Sequence, residues 1–68
     1  MSELLGKFGK RLRETRNQKG ISQEALAAEA GLHRTYVSSV ERGERNITLL
    51  NIYRLAKALK VKPTELLP

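Results

Sequence analysis

No cysteine occurs in the 68 residues, so a disulfide or a thiolate metal site cannot hold this chain together, and that composition suits a reducing cytoplasm. Histidine is reduced to one, His33, too few for the two or more ligands a protein zinc site usually needs. Neither a Ser-His-Asp set, nor paired acids, nor a phosphate loop can be assembled around it, so no enzyme, metal, cofactor or small-molecule ligand is expected. No apolar run approaches the roughly 20 residues of a membrane span, and the start, MSELLGKFGKRLRETR, lacks the apolar block of a signal peptide. A cytoplasmic protein without membrane contact is the expectation. Two prolines and five glycines punctuate the chain too sparsely for a linker or a repeat. Residues 1–68 therefore read as one domain, near the lower limit of what a single apolar core holds together.

What is present is basic charge and helical periodicity. Thirteen Lys and Arg against seven Asp and Glu give +6, unevenly placed. Residues 1–20 carry six bases and two acids, residues 21–32 two acids and no base, and Arg54, Lys57, Lys60 and Lys62 form a second basic run. Charge alone does not separate polyanion binding from solvated helix faces.

Periodicity says more. In QEALAAEAGLHRTYVSSVER, residues 23–42, Leu26, Ala27 and Ala30 make one apolar stripe and Val37 and Val40 another, on either side of Gly31. Two short helices bent at a residue that tolerates positive φ make a helix-turn-helix, with small Ala27 at the closest approach. Such a unit presents its second helix outward, and in DNA-binding proteins that helix enters the major groove, so Leu32-His33-Arg34-Thr35-Tyr36 is the segment to read for function. Around it the pattern predicts five helices. The first runs from Ser2 to Lys19 with Leu5, Phe8 and Leu12 on one face; the second, capped by Ser22, runs to Ala30; the third spans Arg34 to Arg42 and stops at Gly43. Thr48 caps a fourth that buries Leu49, Ile52, Leu55, Ala56 and Leu59, and Pro63 opens a short fifth with Glu65, Leu66 and Leu67.

Ser22-Gln23, Leu26-Ala27, Gly31, Val37, Glu41-Arg42-Gly43 and Leu55-Ala56-Lys57-Ala58-Leu59, in this order and spacing, resemble the DNA-binding domain of the lambda repressor and Cro family, often called Xre-like. The resemblance covers residues 5–67 and implies an all-α, five-helix lambda-repressor-like fold. Within the family, GLHRTYVSSVERGERNITLLNI is most similar to the controller proteins of restriction-modification systems, which are small dimeric regulators. The chain ends just after the fifth helix, so regulation is expected from dimerisation and protein concentration rather than from a ligand-binding domain.

The resemblance also assigns positions. Arg34 and Thr35 match groove-facing residues: an arginine gives two parallel donors to a guanine, and a threonine meets a thymine methyl. Tyr36 either touches bases and sugar at the groove edge or covers the end of helix one. Ser39, one turn beyond Thr35, is a further base-reading candidate, while Ser38 points sideways. His33 is a phosphate contact or a solvated turn residue. Gln23 matches a residue that bonds a phosphate and braces the first reader at a helix N-terminus. Arg45 and Asn46 match residues near the DNA backbone, against the alternative of a turn in which Asn46 bonds its own backbone. Arg11 and Arg13 are further backbone candidates. Arg16 and Glu41 match a buried ion pair tying helix one to helix three, and Thr15 departs from the aliphatic residue usual at its place. Leu50, Leu66 and Leu67, with parts of Ile47, Tyr53 and Val61, are apolar residues the core pattern does not clearly use; in similar proteins this edge meets its symmetry mate, and the alternative is that the leucines cap the monomer's own core.

These readings converge on a homodimeric, sequence-specific transcription regulator on a palindromic operator in double-stranded DNA, with a restriction-modification controller as the narrower reading. An antitoxin that mainly binds a toxin and regulates itself is the alternative, followed by a helix-turn-helix used as a protein-interaction module.

Overall fold

The computed structural model describes residues 2–68. Four α-helices, α1 (Ser2–Gln18), α2 (Gln23–Ala30), α3 (Arg34–Glu41) and α4 (Leu49–Leu59), precede a single 3-10 turn, Pro63–Glu65, and no strand occurs among the described residues. The fifth helix expected from sequence is thus one turn of i→i−3 bonds: Glu65 N–H to Lys62, Leu66 N–H to Pro63 and Leu67 N–H to Thr64.

Local chemistry sets the boundaries. Ser22 Oγ accepts the Ala25 N–H at 3.0 Å and Thr48 Oγ1 the Asn51 N–H at 3.1 Å, each occupying an orphan donor of a first turn. Gly31, at φ 71°, ends α2, and the Leu32 N–H then reaches back to the Ala27 carbonyl at 2.9 Å. Lys60 ends α4 in the same left-handed region, at φ 60°, without glycine's freedom.

The core joins Phe8 and Leu12 of α1, Leu26, Ala27 and Ala30 of α2, Val37 and Val40 of α3, Leu55, Ala56 and Leu59 of α4, and Leu66. Two expectations are corrected here. Leu66, assigned to a dimer edge, is 0% exposed, because the 3-10 turn folds the chain back over α4 and lays this side chain in the core. Leu49, expected inside, is 70% exposed: it continues the stripe of Ile52, Leu55 and Leu59, but the first turn of α4 overhangs the core, and Ile52 is already only half-buried. Thr15 sits at the core edge with its hydroxyl donating to the Arg11 carbonyl at 2.9 Å, so the departure from an aliphatic residue leaves no unpaired polar group.

At one crossing the main chains touch. A methyl built on Gly9 of α1 would lie 2.4 Å from the Val40 carbonyl oxygen and 2.6 Å from that of Glu41. One on Gly43, which ends α3 at φ 74°, would lie 2.8 Å from the Gly6 Cα. Helix one therefore bears directly on the end of helix three. Nothing in the local pattern around Gly6 and Gly9 signals this contact.

Candidate nucleic-acid interface

Val37, Val40 and Glu41 turn inward, which leaves Arg34 and Thr35 exposed at the start of α3, with Tyr36, Ser38 and Ser39 half-buried along its side. His33 is the exposed N-cap residue of α3, and its ring makes no capping bond. The first turn of α3 therefore offers a guanidinium, a hydroxyl with a methyl, and an imidazole to the outside. Ser39 differs: its hydroxyl donates to the Tyr36 carbonyl at 2.9 Å, leaving only lone pairs for an outside partner.

A buried polar cluster sets the position of this surface. Arg16 Nε donates to Glu41 Oε2 at 2.7 Å and Nη2 to Oε1 at 3.1 Å, while Nη1 donates to the Ile21 carbonyl at 2.9 Å. The two side chains are 11% and 2% exposed, so a bidentate, charge-assisted pair closes the junction of α1, the α1–α2 loop and α3. Gln23 joins it, its amide Nε2 donating to Glu41 Oε1 at 2.9 Å. The residue expected to brace the reading helix is held by that helix's own last carboxylate. Gln23 also lines a shallow depression with Arg16, Ser22, Glu24 and Arg34, which brings the first turn of α2 beside the first residue of α3.

The other flank is organised by residues that sequence patterns do not pair. The Arg45 guanidinium lies 5.3 Å from the centroid of the Tyr36 ring, within cation–π range. The Tyr36 hydroxyl accepts from Asn51 Nδ2 of α4 at 3.0 Å. Tyr36 thus joins α3, the following loop and α4, and Asn51 is a member of the surface that sequence reasoning did not identify; 15 residues separate the pair, so no periodicity marks it. Asn46 Oδ1 accepts the Ile47 N–H at 2.9 Å, the local turn bond named as its alternative role, with its amide nitrogen left over. Arg42, also unforeseen, contacts Ser38 Oγ through Nη1 and Glu44 Oε1 through Nε at 3.1 Å. Arg11 bonds the Glu65 carbonyl at 3.3 Å, tying it to the C-terminal turn.

Of the edge residues, Leu50, Tyr53 and Leu67 are exposed, Ile47 and Val61 are half-buried against the core, and Leu66 is internal. Leu49 joins the exposed apolar group on the first turns of α4. No helix among the described residues is long and apolar enough to cross a membrane.

Two short helices around a left-handed glycine, with the second exposed, define a helix-turn-helix protein, and residues 12–66 match the HTH_3 helix-turn-helix family. The chain belongs to that family. It is 52% identical to control protein C.BamHI of Bacillus amyloliquefaciens over 61 residues, 88% of this chain and 75% of that protein. The crystal structure of the restriction-modification controller protein C.AhdI from Aeromonas hydrophila superposes with a TM-score of 0.90 at 60% identity, covering 91% of this chain and 94% of that one. A further match, at TM-score 0.83 and 39% identity over 87% of this chain and 78% of that one, is the tetramer of the controller protein C.Esp1396I in complex with its natural 35 base-pair operator.

Proposed function

We propose that this chain is a sequence-specific DNA-binding transcription regulator that acts as a homodimer on a two-fold-symmetric operator and controls genes of a restriction-modification system. The observation that carries this reading is the exposed start of α3, with Arg34 and Thr35 outward and Gln23 and Glu41 locked behind them, in a chain 52% identical to control protein C.BamHI and 60% identical to the restriction-modification controller protein C.AhdI. Arg34 and Thr35 read bases in the major groove, with Tyr36 at the groove edge and the Ser39 oxygen as an acceptor. His33, Gln23, Arg45 and the Asn46 amide face phosphates and fix the register. One recognition helix covers only a few base pairs, so selecting an operator requires a second copy across a two-fold axis. Leu49, Leu50, Tyr53 and Leu67, flanked by Ile47 and Val61, are the apolar surface for that partner. The protein works in the cytoplasm, without catalysis. The antitoxin reading is not favoured, because the relatives named above are control proteins.

Selection of duplexes from a random-sequence pool, followed by anisotropy titration, tests the proposal. A symmetric sequence with half-sites about 10 base pairs apart is expected. Retention of DNA without enrichment of any sequence refutes it.

A further inference from the structure

The geometry points to Asn51 as a positioning residue that couples the α4 edge to the DNA-facing flank, holding the Tyr36 phenol and, through its ring, the Arg45 guanidinium. This inference rests on the DNA-binding reading above and adds to it a residue that touches no DNA itself. Three observations support it. The Asn51 amide donates to the Tyr36 hydroxyl at 3.0 Å, from a helix whose first turn is pinned at the same residue by the Thr48 cap. Tyr36 is half-buried and its ring has Arg45 5.3 Å away, so the phenol orientation sets where this cation stands. Leu50 and Tyr53, beside and one half-turn beyond Asn51 on α4, are the exposed apolar residues proposed to meet a second copy. A shift of α4 on dimerisation therefore acts on Tyr36 and Arg45 through one hydrogen bond.

Polarity adds a consequence. A hydroxyl that accepts from an amide keeps its own proton to donate, and phosphate oxygens are the acceptors that DNA offers in abundance. Asn51 thereby both aims the phenol and leaves its proton for the backbone. The Arg45 guanidinium, with a ring against it, loses rotamer freedom before DNA arrives, so less ordering remains at the moment of binding.

The experiment is a double-mutant cycle on the duplex that the wild-type protein selects from a random pool, with an unselected duplex as reference. Asn51→Ala is expected to weaken binding to the selected duplex about three- to tenfold, the effect of one neutral hydrogen bond. Tyr36→Phe removes the same bond from its other end and serves where Asn51→Ala folds poorly. The double variant is expected to bind no more weakly than Tyr36→Phe alone, and Asn51→Ala in an Arg45→Ala background is expected to lose less than it does in the wild-type background, keeping only the part that runs through the phenol. The salt dependence of Asn51→Ala should also flatten toward that of Arg45→Ala, a change that plain destabilisation does not produce. Losses that multiply in the Asn51/Tyr36 double variant overturn the inference, as does an Asn51→Ala protein that melts earlier yet binds with wild-type affinity and salt slope. A wild-type protein that prefers no sequence brings down the DNA-binding proposal itself, a result read before any variant is made.

Discussion

The buried Arg16–Glu41 pair permits a prediction in which stability and DNA binding separate. The Glu41 side chain is 2% exposed and its carboxylate accepts three bonds, two from Arg16 and one from Gln23. Glu41→Ala leaves the Arg16 guanidinium, 11% exposed, with the Ile21 carbonyl as its remaining partner. Stranding a charge in this way costs about 3–5 kcal/mol. Stabilities of about 0.05–0.15 kcal/mol per residue give a chain of 68 residues about 3–10 kcal/mol in all. The single change therefore removes about 30% of the stability at the least, and the melting temperature should fall by about 12 °C or more. Replacing both partners, Arg16→Met with Glu41→Leu, removes the stranded charge and should recover most of that loss, because paired ions and well-packed apolar residues are often close in net stability. Binding is not expected to recover with it. Gln23 loses the carboxylate that holds its amide, so affinity for the selected duplex should stay below wild type in a protein that melts near the wild-type temperature. Urea titration by circular dichroism and anisotropy on the same samples measure both quantities. A Glu41→Ala loss under about 1 kcal/mol would show that the pair behaves as a surface salt bridge and refute the reasoning from burial.

Four further expectations follow from other positions. Arg34→Ala should cost about 1–3 kcal/mol on the selected duplex and relax preference at one base pair per half-site, with an unchanged melting temperature; titration on point-variant duplexes reads both. Arg45→Ala should weaken binding to all sequences more evenly and lower the slope of log affinity against log salt by about one unit, measured from 50 to 200 mM salt. Leu50→Glu should give a folded monomer by sedimentation, whereas Leu66→Ala, within the core, should cost about 2–5 kcal/mol in a urea melt; a dimeric Leu50→Glu protein moves the interface elsewhere. Lys60→Gly should be neutral to about 1 kcal/mol stabilising, since it relieves a left-handed strain of about 1–2 kcal/mol against the added entropy of an unfolded glycine, and a thermal melt decides.

The helices were legible where the signal was local. Ser22 and Thr48 cap, and Gly31 turns, for reasons contained within four residues of each, and the stripes of α2, α3 and α4 need only helical periodicity. Legibility ended where burial depended on another element. Leu66 and Leu49 were exchanged between inside and outside because a period says which side of a helix is apolar, not whether the core extends that far along it. The candidate surface divides the same way. Arg34 and Thr35 follow from their place in the turn and its resemblance to a known family, but the Asn51 amide on Tyr36, and Arg45 over its ring, exist only once α3 and α4 are packed. Lys60 in a left-handed cap carries no sequence mark at all, because lysine is chosen there against its backbone preference.

Gly9 and Gly43 bear on how the protein tolerates imperfect sites. Where side chains separate two helices, they act as a compliant layer and the helices tilt by trading rotamers; here backbone rests on backbone, with carbonyls where that layer would be. The reading helix consequently has no hinge of its own. On the proposed reading of a dimer bound to DNA, torque applied to it by a mismatched half-site would pass straight into α1 and turn the protomer as a block, leaving the latitude to accept variant operators to the rotamers of Arg34, Thr35 and Arg45 and to the angle between two protomers.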